Sequence, residues 1–184
     1  DDALRLTLSA MKIAQKQFGV RSITFAGAVS CRADVLMHKL NTHAGYEPGT
    51  GRTHRTVERR AEAVAEPEGL YRQVLDIVER IDANPRAGTP PALIKRHRIE
   101  TTMALANLLT QTERYEEAAK LQKRSLESTS KLFGRDSEQA AVCMANLGHC
   151  LFSTNRRKEA VELIRQAAAI REIKDIPLLL TPRR

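Results

Sequence analysis

Aromatic residues and strand-forming patterns are scarce in this chain of 184 residues. Aromatics make up 4% of the sequence, and tryptophan is absent. Alanine, leucine, arginine and glutamate are plentiful instead, and these residues favour helices over strands. A hydrophobic content of 42% is too high for a disordered chain. The composition therefore predicts an all-α protein.

Cysteines and long apolar runs are also few. Cys31, Cys143 and Cys150 are an odd number and form no CxxC pair, which argues against a disulfide framework and favours a reducing, intracellular compartment. No segment offers the ~20 mostly apolar residues of a spanning helix, so we expect no membrane insertion. The start at Asp1 and the arginine-rich composition favour a mitochondrial protein with a processed N-terminus, with a trimmed fragment as the alternative.

Side-chain groupings that would support catalysis or metal binding are absent from the sequence pattern. His38 and His43 are five residues apart, but no nearby cysteine or carboxylate cluster completes a zinc site. His149 lies beside Cys150, yet adjacent residues on a helix do not face each other. We therefore expect no enzymatic activity and no bound metal.

One glycine-rich segment, residues 45–53, has some likeness to a phosphate-binding loop. Such a loop follows a strand and places a lysine next to its last glycine. Here a predicted helix precedes the segment, and Arg52 stands in the lysine position. The segment is better interpreted as an insertion, so no cofactor and no small-molecule substrate are predicted.

Helical periodicity runs through most of the chain. Apolar residues recur three and four apart, which predicts helices at about 3–18, 23–40, 57–65, 67–82, 92–112, 114–132, 136–154 and 156–173. Glycines and prolines predict loops between them. The expected organisation is degenerate repeat helices in 1–41, a Gly/Pro-rich loop in 42–56, degenerate helices and a Pro-rich loop in 57–91, two helix hairpins in 92–173 and an extended tail in 174–184.

The helices contain an internal repeat. Leu105-Ala106 recurs 42 residues later as Leu147-Gly148, and the matching continues into the next helix as Arg114/Arg156, Glu117/Glu159, Ala118/Ala160 and Leu121/Leu163. A third copy appears at a spacing of 115 residues, where Phe18-Gly19 matches Phe133-Gly134 and Ser22 matches Ser137. Small residues in mid-helix allow two helices to approach closely, and such hairpins bury their apolar faces by stacking into a solenoid.

These residues resemble the tetratricopeptide repeat (TPR) family. The resemblance lies in Leu105-Ala106, Tyr115-Glu116-Glu117-Ala118 and Leu121 and in their second copy, and the 42-residue spacing is similar to the longer kinesin light-chain variety. It implies an α-solenoid of antiparallel helix hairpins. It also implies a non-catalytic scaffold for protein–protein interaction. A partial repeat at the N-terminus, an apolar tail and large loops further predict a subunit of a larger intracellular assembly that binds other protein subunits.

The resemblance further implies which residues line a protein-binding groove. They lie on the first helix of each hairpin and face away from its partner helix: Asp34, Met37, His38, Asn107, Thr110, Gln111, His149, Phe152 and Ser153. Met103 stands where some family members use a lysine to bind a peptide carboxylate, so that mode of binding is not expected.

Basic residues suggest an alternative partner. The formal net charge is +8, with the excess at the two ends of the chain. Three clusters could contact RNA phosphates or an acidic protein: Arg52, Arg55, Arg59 and Arg60; Lys95, Arg96 and Arg98; and Arg156, Arg157 and Lys158. No aromatics interleave with them, so base stacking is not supported. The alternative function is a peripheral RNA-contacting component of an organellar ribosome or another ribonucleoprotein.

Overall fold

The structure, a computed structural model, describes residues 2–43, 54–85 and 89–179; side chains are described except those of residues 43, 54–61 and 173–179. Within these ranges the chain is helical and contains no strand. The helices are α1 (Asp2–Phe18), α2 (Ile23–His43), α3 (His54–Ala83), α4 (Pro91–Gln111), α5 (Tyr115–Phe133), α6 (Glu138–Ser153) and α7 (Arg157–Leu179). The predicted all-α class is thereby confirmed.

The chain forms two compact units, residues 1–108 and 109–184. In the first unit, α2 packs against both α1 and α3. Its core joins residues from α1 to α4, among them Ala14, Phe25, Val29, Val78 and Ile94. The spacing of these residues gives each helix one apolar stripe, and burial of the stripes holds the helices together.

In the second unit, α6 packs between α5 and α7. Ala140, Ala141 and Met144 form one cluster with Ala167, and Leu147 and Leu151 form another with Ala160. The small residues permit close contact. A Cβ atom added to Gly148 would lie 3.2 Å from the carbonyl oxygen of Ala160.

The turn before α5 and the turn before α7 have the same geometry, 42 residues apart. Glu113 and Asn155 both adopt the left-handed conformation, with φ of 62° and 61°. The next residue is Arg114 in one turn and Arg156 in the other. Its backbone amide donates to the carbonyl oxygen five residues earlier, at 2.9 Å for Arg114 and 2.8 Å for Arg156. The predicted 42-residue repeat is thus present in backbone conformation as well as in sequence.

The turn before α2 and the turn before α6 share a second geometry, 115 residues apart. Gly19 and Gly134 both have positive φ, which glycine adopts without steric cost. The hydroxyls of Ser22 and Ser137 each donate to the glycine carbonyl and each accept the amide three residues later, at 3.1 Å in both turns. By this register α1, α5 and α7 are second helices of hairpins, and α2 and α6 are first helices.

Two predicted helix boundaries were wrong, and both involve proline. The helices expected at 57–65 and 67–82 are one helix, with Pro67 buried inside it. Val64, Tyr71 and Val74 continue a single buried stripe across Pro67, so packing on both sides compensates for the one hydrogen bond that proline removes. Likewise, the tail expected to be extended from residue 174 is helical to Leu179.

Candidate functional site

The candidate site lies on α6. Ser137 caps the N-terminus of this helix, because its hydroxyl accepts a hydrogen bond from the amide of Ala140 at 3.1 Å. One side of this helix is buried through Ala141, Met144 and Leu151. The other side exposes His149, Phe152 and Ser153, which we call the α6 face. Phe152 is 54% exposed even though it is a large apolar side chain.

Two ring contacts lie on or beside the α6 face within the second unit, one at Phe152 and one at His149. The guanidinium carbon of Arg157, at the start of α7, lies 5.5 Å from the centre of the Phe152 ring, a cation–π geometry. Tyr115, at the start of α5, meets the ring of His149 edge-on with centroids 6.2 Å apart. Three helices thus supply aromatic, imidazole and cationic groups to one surface. This surface can bind a partner side chain by apolar contact and hydrogen bonding.

The predicted groove residues at the end of α4 are less exposed to solvent than those of α6. Thr110 and Gln111 are both half-buried. The Thr110 hydroxyl and the Cys150 thiol share a hydrogen bond of 3.4 Å, in which either can donate. Burial raises the pKa of the Cys150 thiol, and the bond to Thr110 only partly offsets this. Thr110 therefore helps to hold α6 in place, and the Cys150 thiol stays protonated at neutral pH.

The remaining predicted groove residues lie in the first unit. Asn107 and His38 are exposed, whereas Met37 is buried, with 9% of its surface accessible. Asp34 accepts a 2.6 Å hydrogen bond from the hydroxyl of Tyr71, which joins α2 to α3. Burial, followed by the bond to and the charge of Asp34, raises the pKa of Tyr71 well above its usual value. Asp34 and Met37 thus both contribute to packing within this unit.

Three arginines of the described basic clusters form ion pairs within the chain. Arg96 donates to Glu100, and Arg98 donates to Asp82, both at 2.8 Å. Arg156 donates to Glu159 at 2.8 Å. The hydrogen bond and the opposite charges of this pair raise the pKa of the Arg156 guanidinium and lower the pKa of the Glu159 carboxyl. Lys95 and Lys158 are exposed. Arg52 and the side chains of Arg55, Arg59 and Arg60 lie outside the described residues.

The sequence interpretation missed the part that Tyr115 plays and placed Arg157 in a phosphate-contacting cluster. The family-like aromatic at the start of α5 was the available signal for Tyr115. The position of Arg157 over Phe152 was not readable, because it depends on how α6 and α7 meet. Among the described residues, no group of three histidine, cysteine or acidic side chains could hold a metal ion. The described helices also include none with the length and apolarity needed to cross a membrane.

Helix hairpins whose turns share one geometry 42 residues apart define the class as a helical-repeat protein. Residues 98–173 match the tetratricopeptide repeat family. Tetratricopeptide repeats are scaffolds that bind other proteins and are generally not catalytic. No curated protein matches the chain in sequence.

Two solved structures show a weak likeness. Both are of TPR-like repeats of a Podosopora anserina protein assigned as a kinesin light chain, one of them a Q17M form. The Q17M form is 17% identical, with 95% of this chain and 87% of that chain covered and a TM-score of 0.43. The other is 16% identical, with 94% and 87% covered and the same TM-score. A TM-score under 0.5 does not establish a common arrangement, so the likeness to the tetratricopeptide repeat family rests on the sequence match of residues 98–173.

Proposed function

We propose that the protein is a non-catalytic scaffold subunit of a larger intracellular assembly and that it binds a partner protein through the α6 face. The observation that carries this proposal is the exposure of Phe152 beside Arg157 and His149. Aromatic residues and arginine dominate the binding energy of protein interfaces. A partner that covered this face would remove the apolar ring from water.

The repeat itself supports a binding role for Phe152. The corresponding residue one repeat earlier is Thr110, so a phenylalanine is not required at this position to form the helix or its turn. Apart from its cation–π contact with Arg157, the exposed part of the ring gains nothing from folding. An interface is the simplest physical reason for a phenylalanine at this position.

The test compares Phe152→Ala with Phe133→Ala in quantitative co-purification from native extract. Phe133 is a matched control because it is a phenylalanine of similar exposure, 42%, at the end of α5. We expect Phe152→Ala to lower recovery of the specific partner about tenfold, since interface anchors are typically worth 1–2 kcal/mol or more. Equal recovery with both variants would refute a role of the α6 face. A photo-crosslinking residue at position 152, compared with position 133, would show direct contact.

The second candidate is an RNA-contacting role in an organellar ribosome or another ribonucleoprotein. The exposed Lys158 next to Arg156 and Arg157 favours it, as does the net charge of +8. The ion pair of Arg156 reduces the charge that this cluster can offer to phosphates. RNA binding through this cluster should weaken steeply with salt and be lost on reversal of the three residues to glutamate. Association that ignores both changes would leave only the protein-binding role.

We also propose a reducing compartment, with the mitochondrion as the site of the assembly. Three free cysteines, one of them the exposed Cys31, and the arginine-rich composition support this proposal. Fractionation of cells that carry the tagged full-length protein tests it. Recovery outside mitochondria would make the mitochondrial part of the proposal wrong.

A further inference from the structure

A groove lies on the side of α6 opposite the α6 face. It consists of two neighbouring cavities of about 720 and 550 Å³ between α5 and α7, and Leu163 lines both of them. Met144, Leu147 and Leu151, from the buried side of α6, form its floor. We call the two cavities together the α5–α7 groove. All of its lining residues belong to the second compact unit.

The walls of the groove are one face of α5 and one face of α7. The lining positions recur at helical spacing, from Glu116 to Lys131 on α5 and from Glu159 to Ile170 on α7. At a rise of about 1.5 Å per residue, the α5 wall is about 22 Å long. An extended segment of about seven residues has the same length. The groove therefore has the dimensions of a short peptide segment.

Apolar side chains line the groove but are not fully covered. Leu126 on α5 and Leu163 and Ile170 on α7 pack against the core and are only half-buried. Ala119 and Ala169 are small residues on the two walls and leave space above the floor. A segment that placed apolar side chains between these walls would remove the remaining apolar surface from water, which is favourable.

The α5 wall carries an excess of positive charge. Lys120, Lys123 and Lys131 are exposed and line the groove. Among the described residues, none of these three lysines takes part in an ion pair. Glu116 and Glu127 are the only carboxylates on the same wall of the described groove. Lys120 and Lys123 are one turn apart, so together they can bind one carboxylate of a ligand.

The charges at the two ends of the groove are balanced. Arg156 pairs with Glu159 at one end, and Arg135 is followed by Asp136 at the other. The hydrogen bond from Arg156, and then the charges of Arg156 and Lys123, lower the pKa of the Glu159 carboxyl. The Lys123 ammonium is thus close enough to act across the groove on α7. The positive excess that remains is that of the α5 lysines.

We propose that the α5–α7 groove binds a short extended segment of a partner protein, in which alternate apolar side chains are flanked by acidic residues. The apolar side chains contact the floor, because alternate residues of an extended chain point to the same side. The flanking carboxylates pair with Lys120 and Lys123 in one half of the groove and with Lys131 in the other. This site goes beyond the proposed function of the α6 face, since it uses the opposite side of α6.

The probe is a synthetic, fluorescein-labelled peptide with leucine and serine alternating in the middle and an Asp-Glu pair at each end. Its binding to the full chain is followed by fluorescence anisotropy at low salt. The test variant is Lys123→Glu, and the matched control is Arg124→Glu, an exposed cation of the same helix that does not line the groove. We expect Lys123→Glu to bind at least about tenfold more weakly than the wild type, and Arg124→Glu to bind equally. A peptide with lysine in place of its acidic residues should not bind.

A second pair of variants tests the apolar part of the groove. Ala169→Phe places a large ring inside the groove, whereas Ala168→Phe changes a neighbouring exposed residue that does not line it. We expect only Ala169→Phe to block the peptide. Circular dichroism checks that each variant keeps its helical content.

Several outcomes would overturn the proposal. These are no binding of the peptide, equal loss with both members of either variant pair, and binding of the lysine peptide. Displacement by polyglutamate or by RNA at the same concentration of charge would also overturn it, because charge alone would then explain binding. Phe152→Ala should bind the peptide as the wild type does, so this proposal and that for the α6 face fail separately.

Discussion

Replacing Gly148 with alanine tests how closely α6 and α7 approach. A Cβ at this position would lie 2.8 Å from Cγ1 and 3.3 Å from Cδ1 of Ile164, and 3.2 Å from the carbonyl oxygen of Ala160. The first distance is shorter than any normal carbon contact, so Ile164 or the backbone of α7 must shift. Overfilling a packed site of this kind typically costs about 1–3 kcal/mol.

Helix propensity acts in the opposite direction. Alanine is favoured over glycine inside a helix by about 1 kcal/mol. We therefore expect Gly148→Ala to lower the free energy of unfolding by about 1 kcal/mol net. Gly69→Ala is the matched control, because Gly69 is also inside a helix and nothing lies within 4 Å of its added Cβ. That variant should gain up to about 1 kcal/mol.

The measurement is urea unfolding followed by far-UV circular dichroism, since the chain has no tryptophan for fluorescence. Hydrogen exchange in α6 and α7 gives the local value if the two units unfold separately. Replacing Ile164 with alanine removes two of the three close atoms, so it should relieve Gly148→Ala by about 1 kcal/mol in a double-mutant cycle. If Gly148→Ala stabilises the protein as much as Gly69→Ala does, the close approach of α6 and α7 is wrong.

Three further predictions concern buried polar groups and caps. The buried hydroxyl of Thr101 has no hydrogen-bond partner, so Thr101→Val should leave the free energy of unfolding in urea unchanged or raise it by about 1 kcal/mol. The hydroxyl of Thr112 donates to the carbonyl of Leu109, so Thr112→Val should lower the free energy of unfolding. Equal losses with the two variants would contradict this account. Because the folded pKa of Tyr71 is raised, its contribution to stability is present below the unfolded value of about 10 and is lost as pH rises above it; an alkaline titration at 295 nm should show one late-ionising tyrosine that Tyr71→Phe removes, and an unchanged titration would count against the buried bond. Ser137→Ala removes the cap of α6 and should cost about 1 kcal/mol in thermal unfolding, whereas no loss would show that the cap is dispensable.

Much of the fold was predictable because the repeat signals are local. Gly19 and Gly134 need no tertiary contact to end a helix with positive φ, and Ser22 and Ser137 cap the next helix through their own backbone neighbours. The boundary at Pro67 was mispredicted because it depends on tertiary contacts. Whether one missing hydrogen bond breaks a helix depends on what the flanking residues pack against, and local sequence does not show it.

The candidate site was only partly predictable. The resemblance to the repeat family implied that His149, Phe152 and Ser153 line a groove, and all three are exposed on α6. The same resemblance implied Met37, which is buried because of how α2 packs in the first unit.

The sequence by itself determined the helical class, the 42-residue repeat and the presence of two turn geometries. These features follow from residues that act on their own backbone or on residues three and four positions away. Only the tertiary structure decided which apolar stripes are covered. The pattern Ala-Leu-Ala-Ile, at spacings of three, four and three residues, occurs in α7 from Ala160 to Ile170 and in α1 from Ala3 to Ile13. It is packed against α6 in α7 but exposed in α1, because burial depends on whether a first helix lies beside these residues and not on the residues themselves.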